Sequence, residues 1–150
     1  MPRGTLEVLL VSAKGLENTD FLNDMDPYVI LICRTQEQKS SVASGKGTEP
    51  DWNENFVFTI SDDVVSELTL KIMDSDAGTG DDLVGEANIS LEPLFMEGSL
   101  PPTVYNVVKD EEFRGEIRVA LTFTPEVHGG RDLPVEEESY GGWKESAYRE

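Results

Sequence analysis

The chain has 150 residues, with 30 acidic against 12 basic side chains and a formal net charge of -18. That length suits one ordinary domain with a packed core and is short for two, and the charge repels phosphate-rich partners, so nucleic acid is a poor first choice. The single cysteine, Cys33, lies in the apolar run YVILIC, which points to strand packing rather than thiol chemistry, and no apolar run reaches bilayer-spanning length.

The opening MPRGTLEVLLVSAKG has the period of a strand rather than of a signal peptide, so a cytoplasmic protein is expected. Apolar residues then recur with period two or in short solid runs, separated by turn residues. Strands are predicted over 5–13 (TLEVLLVSA), 28–34 (YVILICR), 38–44 (QKSSVAS), 55–60 (NFVFTI), 67–73 (ELTLKIM), 84–91 (VGEANISL), 103–108 (TVYNVV) and 115–124 (GEIRVALTFT). Residues 90–98 (SLEPLFMEG) allow one short helical turn. Eight short strands predict an all-β, eight-stranded antiparallel β-sandwich, with its long links gathered at the ends. After Pro125 the texture changes to EVHGGRDLPVEEESYGGWKESAYRE. Lacking any periodic apolar face, 126–150 is expected to be an acidic, disordered tail on a domain of 1–125. The only histidine, His128, falls there, with no partner at metal-ligand spacing.

Residues 1–125 retain 23 acidic and 9 basic side chains, and the acids cluster in two links between strands. One link carries Asp20, Asp24 and Asp26; the other carries Asp74, Asp76, Asp81 and Asp82. Acidic loops often serve only solubility. Here, however, Asp74 and Asp76 continue a strand, which sends both carboxylates to one side about 7 Å apart. Pro27 also confines Asp26 to extended backbone, a stiffness that a solubility loop does not need. Carboxylates about 5 Å apart repel by about 3 kcal/mol per pair at an effective dielectric of about 20. A hard divalent cation relieves that repulsion, and flexible all-oxygen ligation suits calcium better than magnesium or zinc. An EF-hand loop starting at Asp74 would need glycine where Thr79 stands and glutamate where Gly85 stands, so the ligands must come from separate loops. An enzyme is not expected, since the domain holds no histidine to act as a base and no glycine-rich phosphate loop.

These residues resemble the C2 domain, a calcium-dependent membrane-binding β-sandwich. The resemblance is carried by LEVLLVSAKGL, by Asp20 and Asp26-Pro27-Tyr28-Val29, by EPDWNENFVF (49–58) and by MDSDAGTGDDLVGEA (73–87), and it spans 4–124. It implies that Asp20, Asp26, Asp74, Asp76 and Asp82 share about two or three calcium ions, with the carbonyls of Phe21 and Ser75 completing the shells. It also implies the permuted (type II) topology, in which the final strand takes the place of an extra first one. Residues 100–123 look like the small single-domain plant members, above all the elicitor-responsive proteins linked to defence signalling. A relative in that group carries RNA in phloem, a role that this chain's acidity opposes. Asp24 and Asp81 fall outside the ligand pattern and are read as neighbours that set the field. Trp52 is expected to pack under the loops and Asn53 to tie a turn.

The function expected from this resemblance is calcium-dependent phospholipid binding by a monomer, with movement from the cytoplasm to the plasma membrane. Without calcium an anionic leaflet repels the loop end; about two ions would leave it near neutral and able to bridge lipid phosphates. Phe21 and Leu22 at the first loop's tip are expected to enter the membrane interface, contributing about 3 to 5 kcal/mol together. With only Arg34, Lys39 and Lys46 between 34 and 46, a phosphatidylserine-like route is favoured over phosphoinositides. The alternative is a calcium-regulated protein adaptor or carrier that ignores lipid.

Overall fold

The computed structural model describes residues 3–16, 25–43, 47–61, 67–75 and 80–126. The elements are β1 (Gly4–Lys14), β2 (Pro27–Cys33), β3 (Gln36–Lys39), β4 (Asp51–Ile60), β5 (Glu67–Asp74), β6 (Asp82–Ser90), α1 (Glu92–Glu97), β7 (Ser99–Lys109) and β8 (Glu112–Pro125). They hydrogen-bond in the order β3-β2-β5-β6-β7-β8-β1-β4. Every neighbouring pair is antiparallel. Glu86 opposite Val108 is the one ladder pair between β6 and β7, so the sheet divides there into two four-stranded leaves. Alternation along the strands sends Leu6, Val8 and Leu10 of one leaf and Leu68, Leu70 and Ile72 of the other into a single buried cluster. The leaves therefore face each other as a nearly closed sandwich, which is the all-β architecture that the period-two pattern predicts.

The strand ends differ from expectation for local reasons. β4 begins at Asp51 rather than 55 because its polar start is a bulge, not a turn: pairing with β1 passes from Leu10–Glu54 to Ser12–Asp51. Asn53 absorbs the extra residue with φ 52°, a left-handed conformation that asparagine tolerates better than most side chains. The strand expected over 38–44 is regular only to Lys39. Beyond it the Ser40 hydroxyl accepts the Val29 N–H at 2.8 Å and competes with the ladder. The chain still follows β2, with Ser40 N–H donating to Val29 O and Ala43 N–H to Pro27 O, both at 2.8 Å. α1 is the expected short turn, stopped by Gly98, whose N–H donates to Leu94 O at 2.7 Å. Its Phe95 ring meets Phe123 edge-on at 5.0 Å. β8 lies against β1 along the whole of Gly4–Lys14, and its end is tied by Glu126 N–H donating to Arg3 O at 2.7 Å. Residues 127–150, where the tail is expected, lie outside the described residues.

The two strands at the ends of the sheet order, β3 and β4, are bridged by side chains. Gln36 behaves like a peptide group towards Thr59: its Nε2–H donates to Thr59 O at 2.6 Å, and its Oε1 accepts the Thr59 N–H at 3.0 Å. Gln38 Nε2–H donates to Val57 O at 2.6 Å, and Ser41 N–H donates to Glu54 Oε1 at 3.0 Å. Edge groups that would otherwise offer a template to another strand are occupied within the molecule. Replacing Gln36 by alanine should lower stability by about 1 to 2 kcal/mol, the net worth of two such bonds. Urea midpoints check this, with Glu37→Ala on the opposite face as a control that should stay within about 0.5 kcal/mol of the parent.

Candidate calcium site

Antiparallel order brings the β1–β2, β3–β4 and β5–β6 connections to one end of the sandwich. The first two are stitched together by backbone bonds. Ala13 N–H donates to Pro50 O at 3.0 Å, Leu16 N–H to Thr48 O at 3.3 Å, and Gly47 N–H to Met25 O at 3.1 Å. Met25 and Leu16 are buried beneath this junction. Trp52 is buried in the core just after Pro50, in keeping with packing at the base of the loops.

Asp74 is the inward-facing residue that follows Leu68, Leu70 and Ile72, and it is 2% exposed. Alternation thus places a carboxylate where the apolar face of β5 runs out. Its backbone position is opposite Pro27. Proline has no N–H to offer a ladder, and the neighbouring Asp26 N–H donates instead to Asp74 Oδ1 at 2.9 Å. Ser75 N–H returns a bond to Asp26 O at 3.0 Å. Asp26 and Asp74 are therefore locked to each other at the roots of two acidic loops.

Asp82 reaches the same side through a bulge. β5 and β6 pair Ile72 with Gly85 but Met73 with Leu83 and Asp74 with Asp82. Val84 is the extra residue. Without it Leu83 would stand opposite Asp74 and Asp82 would face the other way, because a one-residue slip exchanges the faces of a strand. Gly85 permits the local close packing: a Cβ there would meet Val107 Cγ1 at 2.6 Å and Val108 O at 3.3 Å. Directly opposed residues have Cβ atoms about 5 Å apart, so Asp74 and Asp82 repel by about 3 kcal/mol before solvent at the exposed Asp82 screens them.

The preceding residue, Asp81, has a different role from Asp82. Its carboxylate accepts a hydrogen bond from the Tyr28 hydroxyl, which reaches across β5 from the start of β2. Tyr28 is 7% exposed, and Lys39 Nζ lies 5.8 Å from the centroid of its ring. The bond to Asp81, then burial, then the charge of Asp81 push the Tyr28 hydroxyl up to about 12.

Of the residues expected at the site, the structure thus brings together Asp26, Asp74, Ser75 and Asp82. Asp20, Phe21, Leu22 and Asp76, together with Asp24, lie outside the described residues. Among the described residues no group of three or more histidine, cysteine, aspartate or glutamate side chains is arranged to hold a metal ion.

The sequence pattern of the C2 domain matches residues 4–107. The chain belongs to the C2 domain family. Elicitor-responsive protein 3 of Oryza sativa subsp. japonica is 65% identical over 147 residues, which cover 98% of this chain and all of that protein. A solved C2 domain-containing protein from a putative elicitor-responsive gene superposes with a TM-score of 0.76 at 65% identity, covering 87% of this chain and 95% of that one. The paired C2 domains of Extended-Synaptotagmin 2 in a calcium-bound structure give a TM-score of 0.71 at 26% identity, covering 82% of this chain and 46% of that one.

In this C2 domain the fit to calcium rests on donor chemistry. The described members of the expected set, Asp26, Asp74, Ser75 and Asp82, offer carboxylate and peptide oxygens, the hard ligands that calcium takes. The buried Asp74 carboxylate also faces that of Asp82 across a strand pair, two hard oxygen donors on one side of the sheet. Two features of the site were not named by sequence reasoning. The bulge at Val84 had one signal, a glycine inside a strand pattern. The Tyr28–Asp81 bond had none, because it joins residues 53 positions apart.

The Tyr28 shift fixes the sign of a pH effect. The hydroxyl is harder to ionise in the folded chain than the ordinary 10.0, so its bond contributes fully below about pH 10 and is lost as pH rises through about 12. Spectrophotometric titration should show one of the four tyrosines forming phenolate late, and Tyr28→Phe should abolish that step.

Proposed function

We propose that this chain is a calcium-dependent phospholipid-binding module, monomeric and non-catalytic, that passes from the cytoplasm to the plasma membrane when calcium rises and acts in calcium and defence signalling. The observation that carries this reading is Asp74: a carboxylate 2% exposed, bonded to the Asp26 N–H and opposed by Asp82. The calcium-bound state of the Extended-Synaptotagmin 2 domains and the name of the rice elicitor-responsive relative support it further.

In this reading the binding unit is residues 1–125. The carboxylates of Asp20, Asp26, Asp74, Asp76 and Asp82 and the carbonyls of Phe21 and Ser75 hold the ions. Bound calcium would supply positive charge and open coordination positions for lipid phosphate oxygens. The loop roots do the rest: Asp26 and Asp74 hold each other in register, and the Val84 bulge keeps Asp82 facing them. Phe21 and Leu22 enter the interface, and anionic lipid is preferred to phosphoinositide.

Asp74→Asn with Asp76→Asn should abolish calcium-dependent co-sedimentation with phosphatidylserine vesicles. It should also remove the calcium-induced rise in stability, which for the parent is about 2.7 kcal/mol at a hundredfold excess of calcium over Kd. In chelator the variant should be at least as stable as the parent, since an asparagine Oδ1 can still accept the Asp26 N–H and the repulsion with Asp82 is gone. An undiminished calcium-induced rise in the variant would sink the metal assignment.

Phe21→Ser should weaken vesicle attachment by about 10- to 100-fold, the equivalent of one apolar side chain withdrawn from the interface. Its calcium-induced stabilisation should match the parent's; unchanged attachment would remove the insertion step.

A calcium-regulated adaptor is the second reading, favoured by Val108 and Phe113, which are 37% and 61% exposed and directly paired across β7 and β8. An adaptor would show calcium-induced stabilisation but would stay in the supernatant with anionic vesicles.

A further inference from the structure

We infer that Tyr28 is a positioning residue for the calcium site: by holding Asp81 it keeps the adjacent Asp82 opposite Asp74. The inference rests on the calcium reading above and adds to it a residue that offers no oxygen to the ion.

Three observations carry it. Tyr28 stands in the row Tyr28–Met73–Leu83 across β2, β5 and β6, yet its hydroxyl bonds Asp81, two residues beyond Leu83 towards the loop. The side chain therefore passes over β5 and fastens the outgoing leg of the third loop to the root of the first. Next, the leg that it fastens is the one that carries the bulge. Asp82 faces Asp74 only because of the extra residue Val84, and like charges directly opposed across a strand pair push apart. A charge-assisted O–H bond to the neighbouring residue opposes that push. Finally, the strut is rigid. Tyr28 is 7% exposed, flanked by Lys39 on its ring, and set immediately after Pro27, whose fixed φ limits the backbone beneath it.

A ligand set held in place before the ion arrives binds more tightly than one that must be gathered, because the ordering cost is already met. Tyr28→Phe preserves the ring and the packing and removes only the hydroxyl. It should weaken calcium binding about fivefold, the equivalent of one hydrogen bond's net worth. In an Asp81→Ala background the same substitution should change affinity by less than about twofold, since the strut has already lost its far end.

The experiment is a calcium titration by calorimetry on the parent, Tyr28→Phe, Asp81→Ala and the double variant. Amide hydrogen exchange at Asp82 and Leu83 is measured on the same proteins in chelator. Support is a fivefold loss in Tyr28→Phe that vanishes in the Asp81→Ala background, with faster exchange at Asp82 and Leu83 in each single variant. Equal affinities for parent and Tyr28→Phe overturn the inference, and so does the same loss in both backgrounds, because Tyr28 would then act without Asp81. Faster exchange spread evenly over all strands also overturns it, since it marks a general loss of stability. If the parent itself takes up no calcium, the reading of the site fails first, and the exchange data show separately whether Tyr28 holds residues 81 and 82.

Discussion

Burial of the Asp74 carboxylate at the end of an otherwise apolar strand face sets a cost that its surroundings must offset. A carboxylate removed from water loses far more solvation than a single neutral hydrogen bond returns. Asp26 N–H donates to one of the Asp74 oxygens. Opposite Asp74 the sheet presents not a cation but Asp82, which adds repulsion. Like charges directly opposed across a strand pair are destabilising, and the lysines of the neighbouring strands are set elsewhere. Lys71 is opposite Ile30 and Glu86, three residues down the strand, and Lys39 sits on the Tyr28 ring.

The remainder of the fold confines that strain. The core is continuous across both leaves, and the edges far from the acidic pair are bridged by Gln36 and Gln38. The loop roots are joined by backbone bonds from three connections. Repulsion between Asp74 and Asp82 can thus displace the ends of β5 and β6, but it cannot reach the apolar positions Leu68, Leu70 and Ile72 without breaking a ladder that runs from Glu67 to Asp74. Local instability at binding loops on a rigid scaffold is the usual division of labour in such folds.

Much of this arrangement was legible in the sequence, and the limits have physical causes. Period-two alternation locates strands because burial alternates with the pleat, and it located all eight. Asp-Pro at 26–27 and the Asp74, Asp76 pair are local patterns that stand out without coordinates, whereas the full ligand set, Asp20 and Asp82 included, was implied by the resemblance to the C2 domain. Register is different. Whether Asp82 or Leu83 faces Asp74 depends on one extra residue, Val84, and alternation read along β6 alone gives the opposite face. The Gln36–Thr59 pairing and the Tyr28–Asp81 bond depend on which strands become neighbours after folding, and the strand order β3-β2-β5-β6-β7-β8-β1-β4 is not written in any window of the chain. Asn53 shows the converse: a residue suited to a turn was recognised, and the sheet used the same left-handed tolerance for a bulge.

The charge of the whole chain fits the same logic at longer range. A net charge of -18 raises the local concentration of divalent cations and repels anionic surfaces. Fields of exposed charges fade within about 8 Å at physiological ionic strength, which restricts the effect to the surface that actually approaches. Among the described residues Asp74 and Asp82 are the carboxylates that stand directly opposite each other across a strand pair, and Asp74 is the poorly solvated one. The scattered acids elsewhere, such as Glu37 or Glu116 beside Lys14, contribute to solubility and little else. What sets the loop end apart is therefore register and burial, not the total number of acidic residues.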